Sequence, residues 1–161
     1  MDLSQLTPDT AGAVRALVRY AGEQRIPVSL ASAYRTCDQQ YALYAQGRSV
    51  PGKLVTGAPG CFSWHTHGRA VDLAIPGYPI PLYEKLGLWW EKLGGVWGGR
   101  FQDPNHFEWH PRTKVAEACP RGPGTCPTLA EITAMPLRTK IAMAFGGAAI
   151  VVGGYLWLTR R

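Results

Sequence analysis

The sequence predicts a small α+β domain and, beyond it, a C-terminal transmembrane helix. Apolar residues recur at helical spacing in some segments and alternate as in strands in others, without a regular β-α-β rhythm. That mixture favours an α+β domain over a doubly wound parallel sheet. The chain of 161 residues is long enough for one domain with its own hydrophobic core.

The first half of the domain contains two predicted helices and one strand. The Thr-Pro pair at residues 7–8 indicates a helix start, with threonine as N-cap and proline as first helical residue. Apolar residues at helical spacing continue this helix until Pro27 ends it. Residues 28–33 read as a strand, and a second helix is predicted over 38–46, with Gly47 as its stop.

The second half contains, in order, a strand, a helix, a short strand and a last strand. Residues 70–75 alternate as a half-buried strand does, and a helix is predicted over 82–93. Gly94-Gly95 breaks that helix, a short strand follows around 96–97, and the last strand is predicted over 106–110.

Changes in composition divide the chain into three parts. We expect a folded domain over residues 1–117, a linker rich in proline and glycine over 118–137, and a membrane segment over 138–161. The N-terminus has no basic stretch followed by an apolar run, so no secretory signal is expected.

The membrane segment is predicted from an uncharged run over Ile141–Leu158 with basic residues on both sides. A helix of this length spans roughly 27 Å, just enough to cross a hydrocarbon core. Tyr155 and Trp157 stand where interfacial aromatic anchors are found, and Ala149 and Gly153 form a small-xxx-small pair suited to helix–helix association. A buried hydrophobic helix is the alternative interpretation.

The charge pattern favours partners other than nucleic acid. The formal net charge is +6, from 17 basic and 11 acidic residues, and the basic residues are scattered along the chain. Without a basic run in a predicted helix, no nucleic acid is expected. Anionic lipid and peptidoglycan, which carries carboxylates, are better matches.

The four cysteines lack the CxxC spacing of a zinc ribbon. Cys119 and Cys126 flank a turn-rich segment that a disulfide would close. A bridge between Cys37 and Cys61 would instead tether two loops that carry candidate site residues. Free thiols are the alternative, and a disulfide would indicate an oxidising compartment or a virion.

Four residues in two short segments carry the predicted chemistry. His65, Asp72 and His106 are candidate ligands of one metal ion, and Asp103 lies three residues before the last of them. Two imidazoles and a carboxylate that leave one position to water are typical of catalytic zinc. A free carboxylate beside that water suits a general base, so the set predicts hydrolysis. His67 is an alternative to His65, because a His-x-His pair on a strand also chelates.

Strand periodicity predicts which side chains accompany these ligands. Alternate residues of a strand face the same side, so His106, Glu108 and His110 are predicted to share a face. Asp72 is likewise predicted to face the same side as its small neighbours Ala70 and Ala74, which leave room for an ion.

Three ordered motifs resemble those of a known family. Ser-x-His-x-x-Gly-x-Ala-x-Asp is present at 63–72, Trp-Gly-Gly at 97–99 and Asp-Pro-Asn-His-Phe-Glu at 103–108, and Ser-Ala-Tyr-Arg-Thr at 32–36 resembles the family's arginine motif. The motifs resemble the zinc peptidases that include D-alanyl-D-alanine carboxypeptidases and phage L-alanyl-D-glutamate endolysins. The resemblance covers residues 25–110 and implies a small α+β fold with a central antiparallel sheet.

The resemblance also implies roles for individual residues. His65, Asp72 and His106 would hold Zn²⁺. Asp103 would deprotonate the attacking water and later protonate the leaving amine, with Glu108 as the competing base.

Further roles concern the reaction intermediate and the substrate. The resemblance implies that Arg35 stabilises the oxyanion of the tetrahedral intermediate, a task for a fixed cation in a dry site. Ser63, Tyr34 and Glu108 are the substrate-binding residues expected on the same ground.

The sequence thus predicts a membrane-anchored zinc peptidoglycan hydrolase acting on the peptide stems of bacterial cell wall. The Trp-Gly-Gly and His-Phe-Glu motifs favour an L-Ala-D-Glu endopeptidase, as a phage lysis protein or a virion-associated lysin. The alternatives are a D-Ala-D-Ala carboxypeptidase of the bacterial envelope, a non-catalytic wall-binding module on the same fold, and a membrane structural protein. The presence of Asp103 argues against a pure binding module, which needs no base.

Overall fold

The structure, a computed structural model, describes residues 1–110, 150–152 and 155–157. Residues 1–110 form a small α+β domain around a four-stranded antiparallel sheet, which confirms the predicted fold class. The helices are α1 (Pro8–Glu23), α2 (Cys37–Ala45) and α3 (Ile80–Lys92), and the strands are β1 (Ser29–Ser32), β2 (Ala70–Ala74), β3 (Val96–Trp97) and β4 (His106–Glu108). The strand order in the sheet is β1-β2-β4-β3.

Helix α1 begins as the sequence predicts, with Thr7 in an extended conformation before a proline in the first turn. The helix ends at Glu23, ahead of Pro27, because Arg25 takes a left-handed conformation with φ of 56°. This turn leads the chain into the edge strand β1.

Helix α2 begins with a complete capping box. The backbone N–H of Gln39 donates to Thr36 Oγ1 at 3.1 Å, and the backbone N–H of Thr36 donates to Gln39 Oε1 at 2.9 Å. The predicted stop at Gly47 is confirmed by its φ of 71°, and a Cβ there would lie 2.8 Å from the backbone nitrogen of Leu54.

The two faces of the central strands have different roles. Val71 and Leu73 of β2 and Phe107 of β4 are fully buried in a core that also contains residues of α1 and α3. Since side chains alternate along a strand, the residues between them point to the other face. Asp72 and His106 therefore face away from the core.

Helix α3 packs closely against the short strand β3 through a glycine. A Cβ at Gly87 would lie 2.1 Å from the indole of Trp97, so no larger residue fits there without a rearrangement. This packing fixes the chain just before the loop that carries Asp103.

One of the two considered disulfides is present. Cys37, at the start of α2, is bonded to Cys61, in a 3₁₀ turn over Gly60–Phe62. The bridge joins the loop after Arg35 to the loop before Ser63. Cys119 and Cys126 lie outside the described residues.

The predicted linker and most of the predicted membrane segment also lie outside the described residues. Within that segment, Ile150–Val152 (β5) and Tyr155–Trp157 (β6) form an antiparallel pair, so the backbone is extended where a helix is predicted. Their β-branched and aromatic residues, separated in the sequence by Gly-Gly, favour strand pairing. Among the described residues, no helix has the length and apolar character needed to cross a membrane.

We expect loss of the Cys37–Cys61 bridge to destabilise the domain by about 3 kcal/mol, because the bridge closes a loop with a sequence separation of 24. Denaturant unfolding of Cys37→Ser/Cys61→Ser measures this, in a background carrying Cys119→Ser and Cys126→Ser so that reductant acts on one bridge alone. Dithiothreitol should lower the stability of the background protein and leave the fourfold variant unchanged. Equal unfolding free energies with and without the bridge would contradict this expectation.

Candidate metal centre

Strand pairing brings the first two predicted ligands together. In the antiparallel β2–β4 pair, Asp72 lies directly opposite His106. Both side chains lie on the sheet face away from the core, and residues directly opposite each other have Cβ atoms about 5 Å apart. The Asp-His part of the site is therefore fixed by the register of two strands.

The third predicted ligand comes from a turn. His65 lies in a 3₁₀ turn over Trp64–His67, and Ser63 caps this turn by accepting a hydrogen bond from the backbone N–H of His65 at 3.4 Å. Gly68 ends the turn with φ of 63°, and a Cβ there would lie 2.8 Å from a backbone oxygen of Gln5. This reversal turns the chain into β2, as the predicted fold-back at Gly68 requires.

The donor atoms of the three ligands converge. His65 Nε2 lies 3.3 Å from Asp72 Oδ1 and 3.2 Å from His106 Nδ1, and Asp72 Oδ1 lies 2.8 Å from His106 Nδ1. Tetrahedral zinc with bonds of about 2.0–2.1 Å separates its ligand atoms by roughly 3.3–3.4 Å. Two of the three separations match this value closely, and the donor set fits a zinc ion.

Each ligand also has a partner that orients it. His65 Nδ1 lies 2.5 Å from the backbone oxygen of Ala33, which directs Nε2 toward the other ligands. His106 Nε2 lies 3.0 Å from Glu108 Oε1, and Asp72 Oδ2 accepts from Arg35 Nη2 at 2.7 Å. Hydrogen bonds of this kind, on the side of a ligand away from the metal, set its tautomer and orientation.

His67 does not join this cluster. Its Nε2 lies 2.9 Å from the backbone oxygen of Cys61. The alternative in which His67 replaces His65 assumed a strand, in which the two rings would share a face. The segment is a 3₁₀ turn instead, and the convergent donor group consists of His65, Asp72 and His106.

Glu108 is held between two histidines, as the shared strand face predicts. Its Oε1 is bonded to His106, and its Oε2 lies 2.9 Å from His110 Nε2. Burial acts to raise the pKa of Glu108, but the hydrogen bonds from the two histidines outweigh burial and lower the pKa to about 2. A carboxylate held in this way is a weak base.

Asp103 is placed differently. Its carboxylate faces the same cleft, and no hydrogen bond or ion pair to that carboxylate is present in the part of the chain that the structure describes. Partial burial raises its pKa, and the nearby negative charge of Asp72 adds to the effect. A raised pKa suits a group that accepts and returns a proton near neutral pH.

The Trp-Gly-Gly motif has a steric explanation that sequence reasoning did not provide. A Cβ at Gly98 would lie 2.3 Å from the backbone oxygen of Asp103, and one at Gly99 would lie 2.2 Å from the indole of Trp97. The backbone N–H of Asp103 donates to the oxygen of Gly98 at 2.9 Å. The two glycines therefore allow the tight loop that presents Asp103.

Arg35 lies in the site, with a guanidinium fixed by three hydrogen bonds. Besides Asp72, it donates from Nε to Ser32 Oγ at 2.9 Å and from Nη1 to Gln40 Oε1 at 2.7 Å. A guanidinium has five N–H groups, so two are left for a substrate. The predicted oxyanion role stays a prediction.

The two remaining predicted residues differ in position. Ser63 lines the cleft as well as capping the turn. Tyr34 does not line it: its side chain borders a separate small depression with Asp2 and Leu3. The predicted role of Tyr34 as a substrate contact stays a prediction.

The cleft has a volume of about 780 Å³ and walls that the sequence did not indicate. Residues 55–58 form one wall, and Phe101, exposed over 52% of its surface, stands near the other side of the metal residues. Neither segment has a motif of its own. Their place in the site depends on tertiary contacts.

Comparisons with known proteins identify a matching family and a curated relative. Residues 3–92 match the family described as "VanY: D-alanyl-D-alanine carboxypeptidase". The chain is 34% identical over 128 residues to the peptidoglycan L-alanyl-D-glutamate endopeptidase CwlK of Bacillus subtilis, covering 68% of this chain and 75% of CwlK.

One solved structure is similar in fold, and a second matches with a lower score. The Serratia marcescens L-Ala D-Glu endopeptidase ChiX has a TM-score of 0.50 at 21% identity, covering 67% of this chain and 83% of ChiX. The vancomycin-resistance D,D-pentapeptidase VanY, solved with Zn(II), has a TM-score of 0.47 at 19% identity, covering 68% and 76%.

Fold, site and comparisons together define a metallopeptidase. The chain belongs to the VanY family of D-alanyl-D-alanine carboxypeptidases, which confirms the family that the motifs predict. The match to the family ends at residue 92, so the assignment of Asp103 and His106 depends on the geometry described above.

We expect the effect of pH on stability to depend on zinc. Burial acts to lower the pKa of His106, but the hydrogen bonds that its ring donates to Asp72 and Glu108 raise it from 6.5 to about 9. Without metal, the stabilising contribution of His106 is complete below pH 6.5 and is lost as the pH rises toward 9. Zinc needs the neutral imidazole, so its stabilising effect grows with pH.

Thermal unfolding with EDTA or with zinc, between about pH 6 and about pH 8, measures this difference. The increase in Tm on adding zinc should be larger at the higher pH. An increase that does not change with pH would contradict the assignment of His106.

Proposed function

We propose that the protein is a zinc-dependent endopeptidase that cleaves the L-alanyl-D-glutamate bond in the peptide stems of peptidoglycan. One observation carries the proposal: a convergent His-Asp-His donor set shares a cleft with Asp103, whose carboxylate is uncommitted in the described part of the chain. Metal ligands beside a free base are the minimum required for hydrolysis of an amide.

The choice of bond is supported by the relatives. CwlK, which the chain matches over most of both lengths, is named an L-alanyl-D-glutamate endopeptidase. The family name supports the second candidate, a D-Ala-D-Ala carboxypeptidase. Both reactions hydrolyse an amide in the same wall peptide, so the metal centre serves either, and the products distinguish them.

The chain's own groups account for the proton transfers. Zinc held by His65, Asp72 and His106 would supply Lewis acidity and would lower the pKa of water. Asp103 accepts a proton as a water oxygen bonds to the carbonyl carbon of the scissile amide. It returns that proton to the amide nitrogen as the carbon–nitrogen bond breaks, and Arg35 donates its two remaining N–H groups to the developing oxyanion.

A wall-binding module on this fold is the non-catalytic alternative. Such a module needs a cleft and tolerates a metal, but it has no use for a carboxylate with a raised pKa that faces the ligands. The position of Asp103 therefore favours an enzyme.

The proposal includes attachment to a membrane by the C-terminal segment. It rests on the uncharged run over 141–158, the flanking basic residues and the aromatic residues near one end. An enzyme held at a membrane beside the wall suits a phage lysis protein, a virion-associated lysin or a bacterial envelope enzyme.

We expect Asp103→Asn to reduce hydrolysis by roughly two to four powers of ten and to leave zinc binding intact, because the base is lost while the ligands stay. Mass spectrometry of peptidoglycan digests measures turnover, and metal analysis measures zinc. The matched control is Asp38→Asn, an exposed aspartate at the start of α2, which should leave both unchanged.

The same digests test the bond. New amino termini on D-glutamate would support the endopeptidase activity. Released D-alanine would instead show that the protein is a D-Ala-D-Ala carboxypeptidase. If the wild-type protein binds zinc and releases nothing from any wall type, the binding module is correct instead.

We expect deletion of residues 138–161 to move the protein from the membrane fraction to the soluble fraction, because the uncharged run is removed. Deletion of residues 118–137 is the matched control and should leave the protein in the membrane fraction. A full-length protein found in the soluble fraction would contradict the proposed anchor.

A further inference from the structure

Gln40 is a fully buried polar residue in the first half of α2. Its side-chain amide oxygen and both of its amide N–H groups are hydrogen-bonded. Its Oε1 accepts from Arg35 Nη1 at 2.7 Å. Its Nε2 donates to Thr56 Oγ1 at 3.2 Å and to the backbone oxygen of Ala58 at 2.8 Å. Burying an amide group costs free energy unless the group is hydrogen-bonded, and these three contacts offset that cost for Gln40.

The partners of Gln40 belong to different parts of the site. Arg35 lies beside the metal ligands and contacts Asp72 Oδ2 at 2.7 Å. Thr56 and Ala58 belong to the wall of the cleft formed by residues 55–58. One amide therefore joins the catalytic end of the cleft to this wall.

Besides the nearby disulfide at Cys61, the wall has little hydrophobic contact with the domain. Leu54 and Val55 are exposed over 66% and 53% of their surfaces, so this segment contributes little to the core. Within residues 1–110, Thr56 and Ala58 accept hydrogen bonds from one side chain outside their own loop, that of Gln40. Without it, the wall would lose its polar connection to α2.

Arg35 depends on Gln40 in a similar way. Its Nη1 and Nη2 donate to Gln40 and Asp72, and together with the bond from Nε to Ser32 these contacts set the plane of the guanidinium. The N–H groups left for a substrate lie in that plane, so a shift of the plane would misdirect them.

We infer that Gln40 is a positioning residue, which aligns Arg35 with the reacting amide and holds the wall of residues 55–58 against the peptide substrate. The inference rests on the proposed function, because Arg35 and the cleft are assigned their roles there. Gln40 itself is fully buried, and its side-chain hydrogen bonds within residues 1–110 go to Arg35, Thr56 and Ala58 and not to the metal ligands.

A double-mutant cycle tests whether Gln40 acts through Arg35. Gln40→Met keeps the side-chain volume and removes all three hydrogen bonds. It should lower kcat about tenfold in the wild-type background and leave kcat unchanged in an Arg35→Ala background, because the aligned group is already absent. Peptide release by mass spectrometry measures kcat, and zinc content shows that each variant retains its site.

Two further variants separate positioning from a structural role. Gln40→Glu keeps an acceptor for Arg35 but loses the donors to the wall, so it should recover most of kcat and raise KM. Gln39→Met makes the same change one residue earlier, at an exposed capping position, and should lower stability without changing kcat.

The outcomes are distinguishable. Equal losses of kcat in both Arg35 backgrounds, or full kcat in Gln40→Met, would overturn the inference while the proposed function stands. A wild-type protein that hydrolyses no peptidoglycan would overturn the proposed function and this inference with it. If the wild type releases D-alanine instead, the same cycle applies to that reaction.

Discussion

The carboxylate of Asp72 is shared between two sets of partners, and the remainder of the site depends on this sharing. One oxygen lies within 3.3 Å of His65 and His106, and the other accepts from Arg35 at 2.7 Å. Burial acts to raise the pKa of Asp72, but the hydrogen bonds from His106 and His65 outweigh it and hold the pKa far below its usual range. The residue is thus ionised and oriented before a metal arrives.

This arrangement places two carboxylates in contrasting environments. Glu108 is fixed between His106 and His110 and stays ionised, so its contribution is to orient a ligand. Asp103 faces the cleft with a raised pKa and no fixed partner among residues 1–110, so it is free to carry a proton. Two carboxylates with separated pKa values and separate tasks are characteristic of acid–base active sites.

Much of this site could be predicted from the sequence, and the remainder depends on tertiary contacts. Strand alternation predicts that Asp72 shares a face with small residues that leave room for an ion, and the motifs identify the ligands. The 3₁₀ turn around His65 was not predicted, because residues such as Trp64 and Thr66 favour strands locally. Gln40 was also missed, since its partner Ala58 is far along the chain and only the fold brings the two together.

The central claim is that His65, Asp72 and His106 bind one zinc ion. Anomalous diffraction at the zinc edge from crystals of the zinc-loaded protein tests it most directly. A single strong peak is expected within about 2.0–2.2 Å of His65 Nε2, Asp72 Oδ1 and His106 Nδ1. A peak on other side chains, or no peak in a protein that still hydrolyses peptidoglycan, would contradict it.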